Sequence, residues 1–115
     1  KNIHVYGASG KEQDHFLGNL HSALQWQKKL NITFFDEHGQ YFFGNKKIQL
    51  SNCLNKTISL LPFPTATNIT THGLLYPLQN ETLTFGTKIG TRNKATKKEV
   101  DISFETGELL IFTQH

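Results

Sequence analysis

The pattern of apolar and polar residues changes character once along the chain, from a helical repeat to short alternating runs. Between residues 10 and 30, apolar side chains recur at steps of three and four, which gathers them on one face of a helix. Ser9 and Glu12 stand three positions apart before this repeat, in the spacing of a capping box. The sequence therefore predicts one amphipathic helix over about residues 10–30. Its stripe consists of Phe16, Leu17, Leu20, Ala23, Leu24, Gln27 and Leu30.

From residue 32 onward, alternation of apolar and polar positions predicts short strands. Predicted turns at residues 37–39 and at Thr106-Gly107 would join two pairs of these strands into hairpins. We interpret residues 1–9 as either extended or part of a helix. The predicted strands are residues 32–35, 41–43, 48–50, 82–85, 100–104 and 109–112.

Two prolines interrupt the apolar run at residues 58–61. Because proline has no backbone N–H to donate, Pro62 and Pro64 are expected to end ordinary central pairing there. Residues 65–81 are rich in Thr and Asn and are interpreted as a connecting region with one edge strand. Residues 86–98 are rich in Gly, Lys and Thr and are predicted to form a loop.

One helix with one apolar face has to pack against the sheet that the rest of the chain forms. The predicted fold class is therefore α+β: an N-terminal α-helix packed on an antiparallel β-sheet of roughly five to seven strands. The 115 residues suffice for one domain and are too few for two, so residues 1–115 are predicted to form a single domain with a β-rich region over about residues 32–113.

Composition narrows the chemistry that the chain can perform. The single cysteine, Cys53, excludes an internal disulfide framework and is interpreted as a small buried residue. Nucleophile elbows, P-loops, dinucleotide fingerprints and zinc-ligand spacings are absent, and none of the six histidines forms a helical ligand pair. The sequence therefore predicts no catalytic residue, no metal site, no cofactor and no small-molecule substrate, and so a protein that is not an enzyme.

The net charge of +3 is mildly basic, and much of it is concentrated in one segment. Lysine and arginine side chains of this kind neutralise phosphates and position a protein on nucleic acid without reading its sequence. The segment is therefore a candidate contact for double-stranded DNA, and the alternative is a solvated loop whose charge maintains solubility. Its basic residues are Lys88, Arg92, Lys94, Lys97 and Lys98.

Four Asn-x-Thr triplets exceed the roughly one or two that chance predicts. Glycosylation at such sites requires a secretory route, which suggests an alternative function as a secreted or viral N-glycosylated β-rich binding domain. Asn31 has a second explanation, because Asn commonly ends helices. The triplets begin at Asn31, Asn55, Asn68 and Asn80.

The order of these patterns resembles the soluble domain of the type IV pilin-like superfamily. The similarity rests on the N-terminal helix with its segment 20–25, the early strand pair at 32–43, the proline-bearing middle, and the C-terminal segment 83–109. Within that superfamily the chain is most similar to minor pilins and minor pseudopilins, including those of type II secretion and of the competence pilus.

The resemblance implies a non-catalytic subunit of a filament at the bacterial cell envelope. Members of the superfamily begin with a hydrophobic helix that anchors them in the inner membrane before assembly, and such a helix would precede Lys1. The implied partners are other pilin or pseudopilin subunits and the membrane, and a DNA-uptake role would use the basic segment. The implied assembly face lies on the helix and comprises Phe16, Leu17, Leu20, Leu24 and Trp26.

Overall fold

Strands predominate in the structure, a computed structural model that describes residues 2–6, 13–27 and 30–114. The predicted capping box at Ser9 and Glu12 lies outside these residues. The described elements are, in chain order, β1 (Asn2–Tyr6), α1 (Gln13–Trp26), β2 (Asn31–Phe35), β3 (Gly39–Phe43), β4 (Lys47–Leu50), β5 (Thr57–His72), β6 (Glu81–Thr84), β7 (Gly90–Lys94), β8 (Val100–Ser103) and β9 (Thr106–Gln114).

The long strand β5 organises the sheet, because other strands pair along both of its edges. Along one edge, β9 pairs with its first part and β8 with its last residues. Along the other edge, β7 and β6 pair with successive parts of β5. The outer strands then extend the sheet: β3, β2 and β1 continue from β9, and β4 continues from β8. The result is a curled, mostly β structure.

The first two strands depart from the predicted fold class. β1 runs parallel to β2, in a register from Asn2 opposite Asn31 to Tyr6 opposite Phe35, and α1 connects them. The alternation of Ile3 and Val5 with exposed neighbours supplies the half-buried face of β1. The prediction of an α+β fold with one N-terminal helix on an antiparallel sheet is therefore wrong. A strand precedes the helix, the described helix has 14 residues, and most of the chain is strand.

The helix packs on the sheet through part of the predicted stripe. Leu20 and Ala23 are buried, and the ring of Phe16 lies 5.2 Å from that of Tyr41 and 6.3 Å from that of Phe112. These side chains form one of two hydrophobic clusters. The other, larger cluster fills the space between the curled layers of the sheet, and includes Ile58, Leu60, Ile69, Leu83, Ile102, Leu109 and Ile111.

The two prolines do not end β5, contrary to the prediction. The strand continues through Pro62 and Pro64, and its register against β9 shifts between Pro62 and Ala66. Where the register shifts, the regular ladder of hydrogen bonds is interrupted, so proline is tolerated there although it has no N–H to donate. The segment 65–72 is likewise part of β5 rather than a connecting region, because it pairs with β6 along one edge and with β9 and β8 along the other.

The predicted C-terminal hairpin is also wrong in its pairing, although both strands exist. β8 and β9 do not pair with each other; they follow one another along the same edge of β5, with Ser103 opposite Thr70 and Thr106 opposite Thr67. The Glu105 N–H donates to the carbonyl of Thr67 at 2.9 Å, which continues the pairing through the gap between the strands. The chain therefore passes Gly107 without reversing direction.

Three of the four Asn-x-Thr triplets begin at residues with left-handed backbone conformation. Asn55, Asn68 and Asn80 have φ values of 68°, 53° and 52°. Asn tolerates this conformation better than other residues that carry a side chain, apart from Asp. Backbone geometry therefore explains much of the excess of Asn at these positions.

Candidate functional site

A pocket lies between β6, β7 and the segment that connects β5 to β6, and we call it the β6–β7 pocket. Its volume is about 320 Å³, within the range of about 300–1,000 Å³ typical of small-molecule sites. Leu60 of β5 is buried beneath it, and Tyr76 stands at its rim with 67% of its surface exposed. The other lining residues include Leu78, Glu81, Lys88, Ile89, Thr91 and Asn93. The pocket thus combines apolar and aromatic surface with a few polar groups.

Asn93 is one of the few buried polar residues in the described part of the chain, and its side chain hydrogen-bonds to the backbone of Tyr76 and of Lys94. Its side-chain oxygen accepts the backbone N–H groups of Tyr76 at 3.0 Å and of Lys94 at 2.9 Å. Its side-chain nitrogen donates to the carbonyl of Tyr76 at 2.7 Å. Asn93 therefore ties the wall formed by β7 to the rim residue Tyr76.

A bulge in β7 accompanies this inward orientation of Asn93. Between the pairs Ile58–Asn93 and Leu60–Gly90, two residues of β7 stand opposite the single residue Ser59. Arg92 has a φ of 57°, and its N–H donates to the Ser59 hydroxyl at 2.9 Å. Bulges with one residue in an unusual conformation commonly re-aim side chains beside functional sites.

Glu81 and Lys88 form an ion pair at the edge of the β6–β7 pocket. The hydrogen bond from Lys88 and a weaker one from the backbone N–H of Gln79 lower the pKa of Glu81. Both side chains are solvent-accessible, so the pair contributes little to stability. That small contribution is present above the unfolded-state pKa of Glu81 and is lost as the pH falls through the lower folded-state pKa.

Replacing Lys88 by methionine is expected to raise the pKa of Glu81 toward the ordinary value of about 4.3 for glutamate. Methionine retains an unbranched apolar stem but removes the ammonium group that favours the ionised carboxylate. A carboxyl-carbon NMR titration of Glu81 in both proteins measures the change. The Lys47→Met variant is the control, and an unchanged Glu81 pKa in Lys88→Met would show that the pair does not form.

A second, more open groove lies on the outer face of β4, β8 and the end of β5, and we call it the β4–β8 groove. Its volume is about 540 Å³, and it is lined by Lys47, Gln49, His72 and Asp101 among others. Gln49 donates to the Asp101 carboxylate at 3.1 Å. The groove is larger than the β6–β7 pocket, but of the residues that the structure describes, His72 contributes the one aromatic ring that lines it.

The five residues predicted to contact DNA do not lie on one loop. Arg92 and Lys94 belong to strand β7, Lys88 stands in the turn after β6, and Lys97 and Lys98 lie in the turn before β8. All five are exposed. Lys88 is engaged with Glu81, as described above. Contact of these residues with DNA stays a prediction.

The predicted assembly face is divided by the packing of the helix. Leu20 is buried and Phe16 and Leu24 are partly buried, so these positions face the sheet. Leu17 and Trp26 are 62% and 46% exposed. The use of this face in assembly stays a prediction.

Cys53 is buried, as expected from the sequence, and burial raises the pKa of its thiol. A buried thiol of raised pKa is a poor nucleophile. Among the described residues, no group of three or more His, Cys, Asp or Glu side chains is arranged to hold a metal ion. The β6–β7 pocket and the β4–β8 groove are therefore the two candidate binding sites on the described surface.

Comparison with known families shows what this chain is related to. Residues 45–109 match the family described as thiamin pyrophosphokinase, vitamin B1 binding domain. That match covers more than half of the chain. The chain belongs to this family. All the residues named as lining the β6–β7 pocket and the β4–β8 groove fall within the matched segment.

Individual relatives agree with the family match. The chain is 27% identical over 113 residues to the thiamine pyrophosphokinase of Bacillus subtilis, and the alignment covers 95% of this chain and 53% of that protein. The chain thus spans about half the length of the curated relative that it matches.

Solved structures of thiamin pyrophosphokinases have the same fold. The structure from Bacillus subtilis superposes with a TM-score of 0.89 at 25% identity, covering 98% of this chain and 55% of that one. The structure from Geobacillus thermodenitrificans gives 0.90 at 22% identity, covering 100% and 54%. The structure from Candida albicans gives 0.88 at 16% identity, covering 98% and 43%.

Membership in the vitamin B1 binding family overturns the pilin resemblance and what followed from it. The predictions of a filament subunit, of pilin partners, of membrane anchoring and of a cell-envelope location are wrong, as is the alternative of a glycosylated binding domain. The predictions of no enzyme and no small-molecule substrate are wrong too, because the relatives are thiamine pyrophosphokinases. No described helix has the length and apolar character needed to cross a membrane.

The residues of the β6–β7 pocket were missed because no sequence motif marks them. Tyr76, Glu81 and Asn93 are spread over three elements, and only the pairing of β6 and β7 with β5 brings them together. The one available signal was the short apolar piece Leu74-Leu75-Tyr76 directly before Pro77, in a stretch otherwise rich in Thr and Asn.

Proposed function

We propose that this chain supplies the thiamine-binding part of a thiamine pyrophosphokinase and that thiamine binds in the β6–β7 pocket. The family match over residues 45–109 is the observation that carries the proposal. The reaction would transfer the terminal pyrophosphate of ATP to the hydroxyl group of thiamine, releasing AMP.

The chemistry of the β6–β7 pocket suits thiamine, which has two aromatic rings, one of them carrying a fixed positive charge. The exposed ring of Tyr76 offers a π-face to a flat cation. The Glu81 carboxylate lies at the edge, where it is paired with Lys88, and Leu60 and Leu78 offer apolar surface to the rings. Among the described residues, no phenyl or indole ring lines the β4–β8 groove, so we favour the pocket over the groove.

Replacing Tyr76 by alanine is expected to weaken thiamine binding about tenfold, because the cation and ring contacts of an aromatic face are lost. Isothermal titration of thiamine into the purified protein measures this loss. His72→Ala in the β4–β8 groove is the matched control and is expected to leave the affinity unchanged.

The two variants separate the candidate sites. Weakened binding in His72→Ala together with unchanged binding in Tyr76→Ala would place thiamine in the β4–β8 groove and contradict the pocket assignment. Absence of measurable thiamine binding by the unaltered protein would contradict the proposed function itself.

A further inference from the structure

The side chain of Asn93 bonds to Tyr76 in the way that a neighbouring β-strand would. It accepts the Tyr76 N–H at 3.0 Å and donates to the Tyr76 carbonyl at 2.7 Å. Both backbone polar groups of Tyr76 are thereby paired with a single amide. Because hydrogen bonds are directional, two of them on one residue restrict the rotation of its backbone.

The neighbours of Tyr76 are anchored differently. The Leu75 N–H donates to the carbonyl of Lys94 at 2.8 Å, and the Leu78 N–H donates to the Thr71 hydroxyl at 2.9 Å. These bonds fix where the segment lies. The bonds from Asn93 act at Tyr76 itself, where the backbone dihedral angles set the direction in which the aromatic ring leaves the chain.

Asn93 is itself held in place by the bulge in β7. The Ser59 hydroxyl accepts the N–H of the left-handed Arg92, and the Lys94 N–H donates to the Asn93 side-chain oxygen. The amide is buried, so water competes little for its hydrogen bonds. Ser59, Asn93 and Tyr76 therefore form a connected series from the beginning of β5 to the pocket rim.

We infer that Asn93 is a positioning residue that holds the exposed ring of Tyr76 at the β6–β7 pocket before the ligand arrives. The inference rests on the proposed function, in which that ring contacts thiamine. A ring that is already oriented loses less conformational freedom on binding, and this raises affinity in addition to any contact that Asn93 itself makes as a lining residue.

The variant Asn93→Asp tests the inference. Aspartate has nearly the same size and still accepts the Tyr76 N–H, but it has no N–H to donate to the Tyr76 carbonyl. We expect thiamine affinity to fall about five- to tenfold, as measured by isothermal titration. In the Tyr76→Ala background, the same exchange is expected to cause no further loss, because the ring that Asn93 positions is gone.

The control is Asn52→Asp, an identical exchange at an exposed turn, which is expected to leave affinity unchanged. Should Asn93→Asp weaken binding equally with and without the Tyr76 ring, Asn93 does not act through that ring and the inference is overturned. That result leaves the proposed function intact, whereas lack of thiamine binding by the unaltered protein overturns the proposed function.

Ser59→Ala provides a second test if Asn93→Asp does not fold, as judged by circular dichroism. It removes the acceptor for the Arg92 N–H and loosens the bulge that aims Asn93. We expect an approximately threefold loss of thiamine affinity that disappears in the Tyr76→Ala background. An equal loss in both backgrounds would overturn the inference.

Discussion

Replacing Gly107 by alanine is expected to lower the free energy of unfolding by about 4 kcal/mol. Gly107 has a φ of 92°, a conformation that residues with a side chain rarely adopt. A Cβ atom there would collide with the carbonyl oxygen of Thr65 and lie 2.8 Å from its carbonyl carbon and 2.9 Å from the Cα of Ala66. These are backbone atoms of β5, so they yield only if the paired strands separate.

Gly86 supplies the matched control for this prediction. Its φ of 91° is nearly the same, but no atom lies within 4 Å of the position that a Cβ would occupy. Gly86→Ala therefore reports the conformational strain alone, about 1 kcal/mol. Urea unfolding followed by circular dichroism measures both variants, and equal losses would contradict the close approach of β9 to β5 at Gly107.

Replacing Ile111 by alanine is expected to cost about 3 kcal/mol of stability. Ile111 has no exposed surface, and it lies between its sheet partners Phe42 of β3 and Leu60 of β5. Truncation removes three carbon atoms from the main core and leaves a cavity that the surrounding strands can fill only in part. The loss is measured as a decrease in the midpoint of urea unfolding.

Leu17→Ala is the control for Ile111→Ala. Leu17 lies on α1 with 62% of its surface exposed, and alanine favours the helical conformation slightly more than leucine. Its stability is expected to change by less than about 0.5 kcal/mol. If Leu17→Ala were as destabilising as Ile111→Ala, the described packing of the helix would be wrong.

Local alternation was sufficient to predict individual strands but not their partners. The strands at residues 32–35 and 41–43 were recognised and their hairpin is confirmed, because a short turn joins neighbours directly. The strands at residues 100–104 and 109–112 were recognised as well, yet their predicted hairpin was wrong. Their true partner, β5, lies far away in sequence, and no local pattern specifies a distant pairing.

The longest strand was the hardest to predict from its residues. In the sequence, Pro62 and Pro64 divide β5 into two segments that look unrelated. In an ordinary ladder, the carbonyl groups opposite the prolines would have no N–H to pair with. The register shift beside them removes that conflict, and only the fold reveals it. Once β5 is seen as one strand, the positions of β6 and β7 follow, and with them the β6–β7 pocket.

The family was missed for a related reason. The pilin resemblance rested on short amphipathic segments. Such segments occur in many unrelated proteins, so they do not identify a family. Among the described residues, no group of three or more His, Cys, Asp or Glu side chains marks the pocket as a metal site. A site built from one aromatic rim, one amide and apolar walls becomes recognisable only in three dimensions.

Strand β9 presents three consecutive buried residues, Leu109, Leu110 and Ile111. Leu109 and Ile111 enter the main core, whereas Leu110 points to the opposite side and packs beneath the helix. A slip of this strand by one position would exchange the side chains supplied to both interiors at once. Two independent sets of neighbours therefore fix the register of β9. A shifted register would disrupt both hydrophobic clusters, and this disfavours misregistered pairing during folding.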